Sequence, residues 1–291
     1  MNEQVAINAL ISGSAVVLAG VSFYIPYSIA RFFHFTHGAA YTVAAYVAFL
    51  LAEKWGFGLW TAAGAAVLAS CVLGFVLDRL LYRKMRRRGA GAFVMLLASL
   101  GSYVLAQNLL SLFFGDAAVS ISATRQWGGY RLLDGRITKA QALQFAVALA
   151  ILFVLWLTLK RTKTGLSMQA VGQDANLARC VGIPTDRIIA LGFTIGYGLA
   201  GLAGVVMALN VDVVPTMGMR PMMLGMVAMI VGGNTLTGTV CGALLIGIAS
   251  HLGVVWLPTQ WQDAIAFVIL ILFLLIRPQG FVGKPVKTVT V

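Results

Sequence analysis

The residues of this sequence best suited to chemistry are His34 and His37, in the stretch RFFHFTHGAAY at 31–41. Histidine can ligate a metal, exchange a proton or hydrogen-bond a solute, and Arg31 and Thr36 lie beside the pair. The two histidines lack a nearby third partner, so we predict no metal site here. Apolar runs flank the stretch on both sides. It is therefore either a short aqueous loop or a polar break at membrane depth that a solute must pass.

A second polar interruption, GGNTLTG at 232–238, divides the apolar segment 222–250. Each of its two pieces, about 10 and 12 residues long, is too short to cross a hydrocarbon core about 30 Å thick. Non-helical backbone at membrane depth is tolerated where protein buries it or where it lines a cavity, and Gly-rich breaks in both halves of a chain point to a substrate path. The residues predicted to line that path are Thr36, His37, Gly38, Gly232, Gly233, Asn234 and Thr235.

Within this path, we expect Gly38 to let the backbone approach a solute or a facing Gly232-Gly233 pair closely, because glycine has no side chain. His37 would offer a hydrogen bond to a desolvated solute. Arg31 would anchor the segment at the cytoplasmic interface by extending its charged head toward water.

Other motifs carry no catalytic chemistry. Gly196-Tyr-Gly198-Leu-Ala-Gly201 matches GxGxxG, but it lies inside an apolar helix, whereas a dinucleotide site needs a preceding strand and a later acid. The glycines of that helix, together with Gly238 and Gly242, instead predict close helix packing. No phosphate-binding GxxxxGK[ST] loop occurs in the sequence, and its three cysteines have no zinc-type spacing.

Composition defines the class of protein. Of the 291 residues, 60% are hydrophobic and only 10% are charged, whereas a soluble domain carries about 25% charged residues. Stretches without Asp, Glu, Lys or Arg include 5–30, 55–77, 89–115, 140–159, 188–211, 221–262 and 264–276. We predict an all-α, polytopic transmembrane bundle with about eight hydrophobic segments, broken or re-entrant helices in both halves, and a single domain over 1–291.

The net charge of +12 is concentrated in short runs between apolar segments, which indicates membrane topology rather than binding of nucleic acid. Arginines at 83–88, the basic residues that begin 160–188 and the basic tail are predicted inside. The N-terminus and the loop 115–141 are then predicted outside. Two solutions remain for 222–250: a re-entrant pair of half-helices with the tail inside, or one broken span with the tail outside.

The segment 160–188 is long for a connector. A short helix is predicted over 166–180, with Gly182 ending it and Pro184 preventing its continuation. This pattern favours a cytoplasmic docking element for a partner protein, and the alternative is an amphipathic loop lying on the lipid.

Four segments, in this order, resemble the permease subunits of the branched-chain amino acid ABC importers over nearly the whole chain. They are FHFTHGAAYTVAAYVAF, AVGQDANLARCVGIPTDRIIALGFTIGYGLAGLAGVV, IVGGNTLTGTVCGALLIGIAS and IRPQGFVG. The sequence departs from the family pattern at His34, where asparagine is common, and at Asn234-Thr235, where a Gly-rich pair is more typical.

The resemblance implies a multi-pass protein of the bacterial inner membrane, in contact with membrane lipid, without a cofactor or enzymatic activity of its own. It implies a second permease subunit, two cytoplasmic ATPase subunits and an extracytoplasmic solute-binding protein as partners. The ATPases would dock on 160–188, at Gly165, Ala170, Asp174, Gly182, Ile183 and Pro184.

Three alternatives remain open. The first is a permease for urea or short amides in the same family. The second is a stand-alone secondary transporter, which needs a membrane-embedded acid as coupling site. The third is an integral membrane enzyme, which needs a cluster of catalytic groups within the spans.

Overall fold

The computed structural model describes residues 3–121, 128–132, 135–254, 256, 258–277 and 280–282. Part of the C-terminal signature at 276–283, and the basic tail beyond it, lie outside the described residues.

The described chain is almost entirely helical. The helices are α1 (Glu3–Ala30), α2 (His37–Phe49), α3 (Leu59–Leu77), α4 (Arg83–Arg87), α5 (Ala92–Phe114), α6 (Lys139–Arg161), α7 (Lys163–Gln173), α8 (Ala175–Cys180), α9 (Thr185–Ala208), α10 (Met219–Gly232), α11 (Leu236–Gly253) and α12 (Gln262–Ile276). A 3₁₀ turn, Thr259–Trp261, precedes α12, and one hairpin, β1 (Gly129–Leu132) with β2 (Gly135–Thr138), precedes α6.

Seven helices in the described residues are long and apolar enough to cross a membrane. They are α1, the continuous helix from α3 to α4, α5, α6, α9, α11 and the helix that ends with α12. The shorter α2 and α10 complete the bundle. The all-α, polytopic prediction is therefore confirmed.

Glycine allows the central helices to pack at short range. A Cβ added to Gly225 of α10 would lie 2.6 Å from the carbonyl oxygen of Ala19 in α1. On α9, Gly196 lies against Pro26 of α1, and Gly204 lies against the backbone of Tyr41 in α2. The prediction that glycines within the apolar helices allow close helix packing is confirmed.

Helices α10 and α11 form an antiparallel pair. Gly232 lies against Gly238, and Gly242 lies against Ala228 four residues back along α10. Gly233, with φ +83°, and Asn234, with φ +52°, make the tight reversal between them. The segment 222–250 thus begins and ends at the same face of the molecule, which is the arrangement of the re-entrant alternative and not of a single broken span. Its second piece is longer than expected, because α11, with 18 residues, is long and apolar enough to cross a membrane by itself.

Contacts between loops define that face. The side-chain amide of Gln4 donates to the backbone oxygen of Arg136 in β2 at 3.1 Å. It also accepts a hydrogen bond from the backbone nitrogen of Arg136 at 2.7 Å. Val119, after α5, forms a two-way backbone bridge with Val213, after α9. The N-terminus, the loop 115–141 and the loop before α10 therefore share one face, which the charge pattern predicts to be external.

Two helices contain a π turn, at Leu50–Lys54 and at Asp78–Tyr82. The second joins α3 to α4 in one continuous helix. A π turn contains more residues than an α turn, so Asp78 and Arg86, eight residues apart, come onto one side of the helix. Their ion pair spans 2.8 Å, and the carboxylate is buried.

Candidate functional site

A cavity of about 410 Å³ opens on the predicted external face, within the usual size range of small-molecule sites. We call it the outer cavity. Helices α1, α2, α6, α9, α10 and α11 contribute to its wall, together with the start of α12. Its polar lining residues are Asn8, Ser12, Tyr41, Gln141, Gln144, Asn210, Arg220, His251 and Gln262.

Polar side chains tie the wall of the outer cavity together. Gln144 of α6 donates to the backbone oxygen of Ile11 at 2.9 Å and to Ser14 at 3.1 Å, both on α1. Asn210, at the end of α9, reaches the side-chain oxygen of Gln144 at 3.4 Å. Since polar side chains within apolar spans are costly and usually functional, this cluster is the strongest candidate for contact with a polar solute.

The rim of the outer cavity carries its charges. Arg220, at the start of α10, donates to Asp263 at 2.9 Å and to Gln262 at 3.0 Å. Both partners lie at the start of α12, and the ion pair is about half exposed. The rim therefore links the re-entrant pair to the last helix through bonds that water can replace at little cost.

The floor of the outer cavity is a hydrogen-bonded chain. The Ser22 hydroxyl lies 2.7 Å from the Tyr41 hydroxyl and 3.1 Å from Nε2 of His37, and it donates its proton to the oxygen of Ala19. The Ser22 hydroxyl is therefore the shared hydrogen-bond partner of Tyr41 and His37. All three side chains are buried.

Beneath this floor lies a cluster of buried aromatic rings. The His34 ring stacks on Phe23, with centroids 4.7 Å apart, and meets the His37 ring edge-on at 5.2 Å. Phe32, Tyr82, Phe193 and Tyr197 complete the cluster. Thr36 is tied to the Tyr82 hydroxyl at 2.5 Å and to the Ser99 oxygen at 3.0 Å. No open channel lies at Thr36 or His37; each is sealed in protein.

The two halves of the site predicted from sequence do not face each other. The nearest neighbours of Gly38 are the backbone of Gly218 and the ring of Tyr103, each about 3.1 Å from where a Cβ would be. The expectation that Gly38 faces Gly232-Gly233 is therefore wrong. The reason is the re-entrant geometry, which brings the start of α10 to α2 and carries its end toward the inner face.

The second half, Gly232 to Thr235, forms the tip of the re-entrant pair. Thr235 caps α11 by accepting from the nitrogen of Gly238 at 3.1 Å. Chain from beyond α12 covers the tip: Phe281 donates its backbone N–H to the oxygen of Val231 at 2.9 Å. The tip thus contacts the C-terminal segment and does not border the outer cavity.

The predicted docking segment forms two helices rather than the single one expected over 166–180. Asp174 ends α7 and caps α8, since its carboxylate accepts from the nitrogens of Asn176 at 2.8 Å and Leu177 at 3.0 Å. An aspartate that bonds the next helix's first N–H groups competes with continuation of the preceding helix. Gly182, with φ +84°, ends α8 as predicted.

One face of the docking segment packs against the bundle and the other is exposed. Gly165 lies against the end of α6, and Gly172 lies against the Ser28 oxygen of α1. In contrast, Leu177 is 64% exposed and Val181 is 70% exposed. Leu177 of α8 and Val181 directly after it are therefore exposed apolar side chains at the inner face.

Arg31, directly after α1, connects that helix to the docking segment. Its Nε donates to the oxygen of Gly172 at the end of α7, at 2.9 Å, and its backbone adopts φ +59°, which is unusual for a residue other than glycine. The guanidinium is thus fixed to protein, in addition to any role at the interface. It couples the end of α1 directly to the docking segment.

Sequence reasoning missed most of the outer cavity. Gln144 and Asn210 are isolated polar residues at the edges of apolar runs, and that isolation is the signal by which they could have been found. Tyr41 gave no such signal, because an aromatic residue in an apolar helix is normally core. Among the described residues no three His, Cys, Asp or Glu side chains are grouped to hold a metal ion.

The fold and the outer cavity define a polytopic helical membrane protein with a polar cleft at one face. The chain matches the family model described as branched-chain amino acid transport system / permease component over residues 5–274. It is 30% identical over 293 residues to the high-affinity branched-chain amino acid transport system permease protein LivH of Escherichia coli strain K12, covering 96% of this chain and 94% of that protein.

Two further comparisons agree. The corresponding protein BraD of Pseudomonas aeruginosa is 29% identical over 296 residues, covering 97% of this chain and 96% of that protein. A solved structure, PsaBC from Streptococcus pneumoniae in complex with Fab, shares the fold with a TM-score of 0.53 at 16% identity, over 94% of this chain and 91% of that chain. The chain belongs to the branched-chain amino acid transport permease family and is a multi-pass protein of the inner membrane.

Proposed function

We propose that this chain is a single permease domain that forms part of the translocation path of an ABC importer for branched-chain or related amino acids. The outer cavity carries the proposal. It opens on the predicted external face, where a solute-binding protein would deliver its cargo. Its mixed lining, with Asn210 and Gln144 beside apolar side chains, suits a small solute that has both polar and aliphatic groups.

In this proposal the floor at Tyr41, Ser22 and His37 is the barrier that a solute must pass. Two nitrogens below it, Nδ1 of His37 and Nε2 of His34, have no hydrogen-bond partner among the described residues. Once the floor opens, these atoms would offer bonds to a solute that has left water. Thr36, His37 and Gly38 thus remain on the proposed solute path, but as part of a closed barrier rather than as the lining of an open channel. Gly232, Gly233, Asn234 and Thr235 would flank the path from the inner side.

Motion of the barrier would be driven from the docking segment. The proposed partners are a second permease subunit, two cytoplasmic ATPase subunits and an extracytoplasmic solute-binding protein, with no bond-breaking chemistry in this chain. The ATPase contact would use α8 and the turn Gly182-Ile183-Pro184, supported by Gly165, Ala170 and Asp174. Arg31 would transmit displacement of α7 to the end of α1.

The test is uptake by the assembled importer in proteoliposomes. We expect ATP-dependent uptake of leucine, isoleucine or valine, and roughly tenfold weaker uptake for Asn210→Ala, since a lost hydrogen bond to a desolvated solute is worth about 1–3 kcal/mol. Asn108→Ala is the matched control, because among the described residues the Asn108 side chain bonds its own helix alone, at Val104. Wild-type uptake by Asn210→Ala would remove the outer cavity from the path.

The same preparation separates the alternatives. ATP-dependent uptake of urea or acetamide without leucine would identify the short-amide permease. Uptake that persists without an ATPase would identify a secondary transporter. The one buried carboxylate in the described spans, Asp78, is paired with Arg86, which argues against its use as a coupling site.

A further inference from the structure

A second cavity, of about 690 Å³, lies at the opposite face of the molecule from the outer cavity. We call it the inner cavity. It is formed by α4, α8 and the start of α9. Five arginines line it, against a single acid, Asp186: they are Arg83, Arg86, Arg87, Arg179 and Arg187.

The positive charge of the inner cavity is only partly neutralised. Asp186 accepts from Arg83 and Arg87, at 2.9 Å and 3.0 Å. Arg179 has only the hydroxyl of Thr185 as its side-chain partner, at 3.2 Å, and the side chain of Arg187 has no partner in the part of the chain that the structure describes. Two guanidinium groups therefore face the cavity without a counter-charge, a state that an anion would stabilise.

The depth of the inner cavity matches the phosphate layer of the inner leaflet. The continuous helix through α3 and α4 begins at Leu59, beside the exposed Trp60, which suits an interfacial aromatic residue. At 1.5 Å per residue, Arg83 is about 36 Å along this helix. A hydrocarbon core about 30 Å thick therefore ends just before the arginines, and they lie among headgroups.

The same helix offers a surface for acyl chains. Val72, Val76 and Leu80 follow one another at intervals of four residues, and each is between 38% and 60% exposed. Leu80 is three residues before Arg83 in the same helix. Of the side chains assigned to ATPase docking, Ile183 and Pro184 line the inner cavity, whereas the exposed Leu177 and Val181 do not. The two surfaces therefore adjoin, and the experiment below must distinguish a lipid from the ATPase.

We propose that the inner cavity binds the phosphodiester of an anionic phospholipid of the inner leaflet, with Arg179 and Arg187 as its uncompensated donors. Basic pockets between spans on the cytoplasmic side hold anionic headgroups in this way. This inference goes beyond the proposed function: it concerns a lipid at the inner face and holds whatever the imported solute is.

The test uses the purified full-length chain in phosphatidylcholine nanodiscs with added phosphatidylglycerol, and native mass spectrometry to count retained anionic lipid. Arg187→Gln should lower retention of phosphatidylglycerol about fivefold, because a basic residue near a charged lipid surface is worth about one kcal/mol. Arg187→Lys should keep most of it. Arg161→Gln, which removes an exposed arginine at the end of α6 outside the cavity, should retain wild-type levels.

Equal losses in Arg187→Gln and Arg161→Gln would show general surface attraction and overturn the proposal, as would unchanged retention in Arg187→Gln. Displacement of the lipid by inorganic phosphate at equal concentration would show a site for free anions instead. Loss of ATPase co-purification from Arg187→Gln with lipid retention intact would show that the cavity receives the ATPase, and would equally overturn it.

Discussion

At the scale of single residues, Ser22 organises the barrier below the outer cavity. Its one hydroxyl lies within hydrogen-bond distance of the Tyr41 hydroxyl, Nε2 of His37 and the backbone oxygen of Ala19. A buried polar group left without a partner costs more than the net value of the bond it loses, whereas a polar group removed outright costs less. The three residues should therefore respond unequally to substitution.

We expect Ser22→Ala to destabilise the protein more than Tyr41→Phe. The first leaves the Tyr41 hydroxyl and His37 Nε2 without their shared partner, at about 1–3 kcal/mol for each unsatisfied group, whereas the second removes one hydroxyl and costs about 1 kcal/mol. Thermal unfolding of the purified variants measures the order. Ser102→Ala is the control, since in the part of the chain that the structure describes the Ser102 side chain bonds Ala98 of its own helix and nothing else. A greater loss in Tyr41→Phe would contradict the assigned bonding.

Arg31 combines a left-handed backbone with a side-chain clamp on Gly172, and two substitutions separate these roles. Arg31→Gly loses the clamp but adopts φ +59° without strain, so it should be about 1 kcal/mol more stable than Arg31→Ala. Both should lower solute-stimulated ATP hydrolysis in the assembled importer. If both variants hydrolyse ATP at the wild-type rate, Arg31 is a structural residue and does not couple the two regions.

At the scale of elements, the sequence predicted the spans and the break at 232–238, but not the π turns within two helices or the division of the docking segment at Asp174. The charge-free stretch 89–115 contains the whole of α5, and the stretch 264–276 contains all but the first two residues of α12. The π turns depend on which side chains meet other helices, and the composition of a single segment does not show this. The break at Asp174 did have a local signal, since aspartate is a favoured helix cap, but helical periodicity on either side concealed it.

The docking segment depends on the turn that ends α8. Gly182, at φ +84°, has open space around its Cβ position, so a substitution there acts through the backbone alone. Gly182→Val should displace the turn and reduce both co-purification of the ATPase and solute-stimulated hydrolysis. Gly182→Asn should keep both, because asparagine adopts the left-handed conformation more readily than a β-branched residue does. Normal ATPase association in Gly182→Val would mean that the segment is only a connector.

At the scale of the whole molecule, charge and hydropathy predicted which loops share a face, but not which helices meet. The outer cavity brings together residues from both ends of the chain, such as Asn8 and Gln262, and no local pattern encodes that meeting. The same limit explains the error at Gly38. Its neighbour Gly218 lies 180 residues later, in a loop whose position follows from the direction of the re-entrant pair.

The antiparallel course of α10 and α11 predicts on which side of the membrane the loop before α12 lies, a point that the charge pattern alone left open. Trp256, 82% exposed between α11 and α12, lies outside if 222–250 is re-entrant and inside if it is a single broken span. With Cys71 and Cys241 replaced by alanine, a membrane-impermeant maleimide should label Trp256→Cys in intact cells. The native Cys180, exposed in α8, should react only after permeabilisation and serves as the internal reference.

Gly128→Cys, beside β1, should label together with Trp256→Cys, because both positions belong to the face that Gln4 and Arg136 share. If Trp256→Cys instead reacts only with Cys180 after permeabilisation, the tail and the docking segment lie on opposite sides of the membrane, and the external assignment of the outer cavity is wrong.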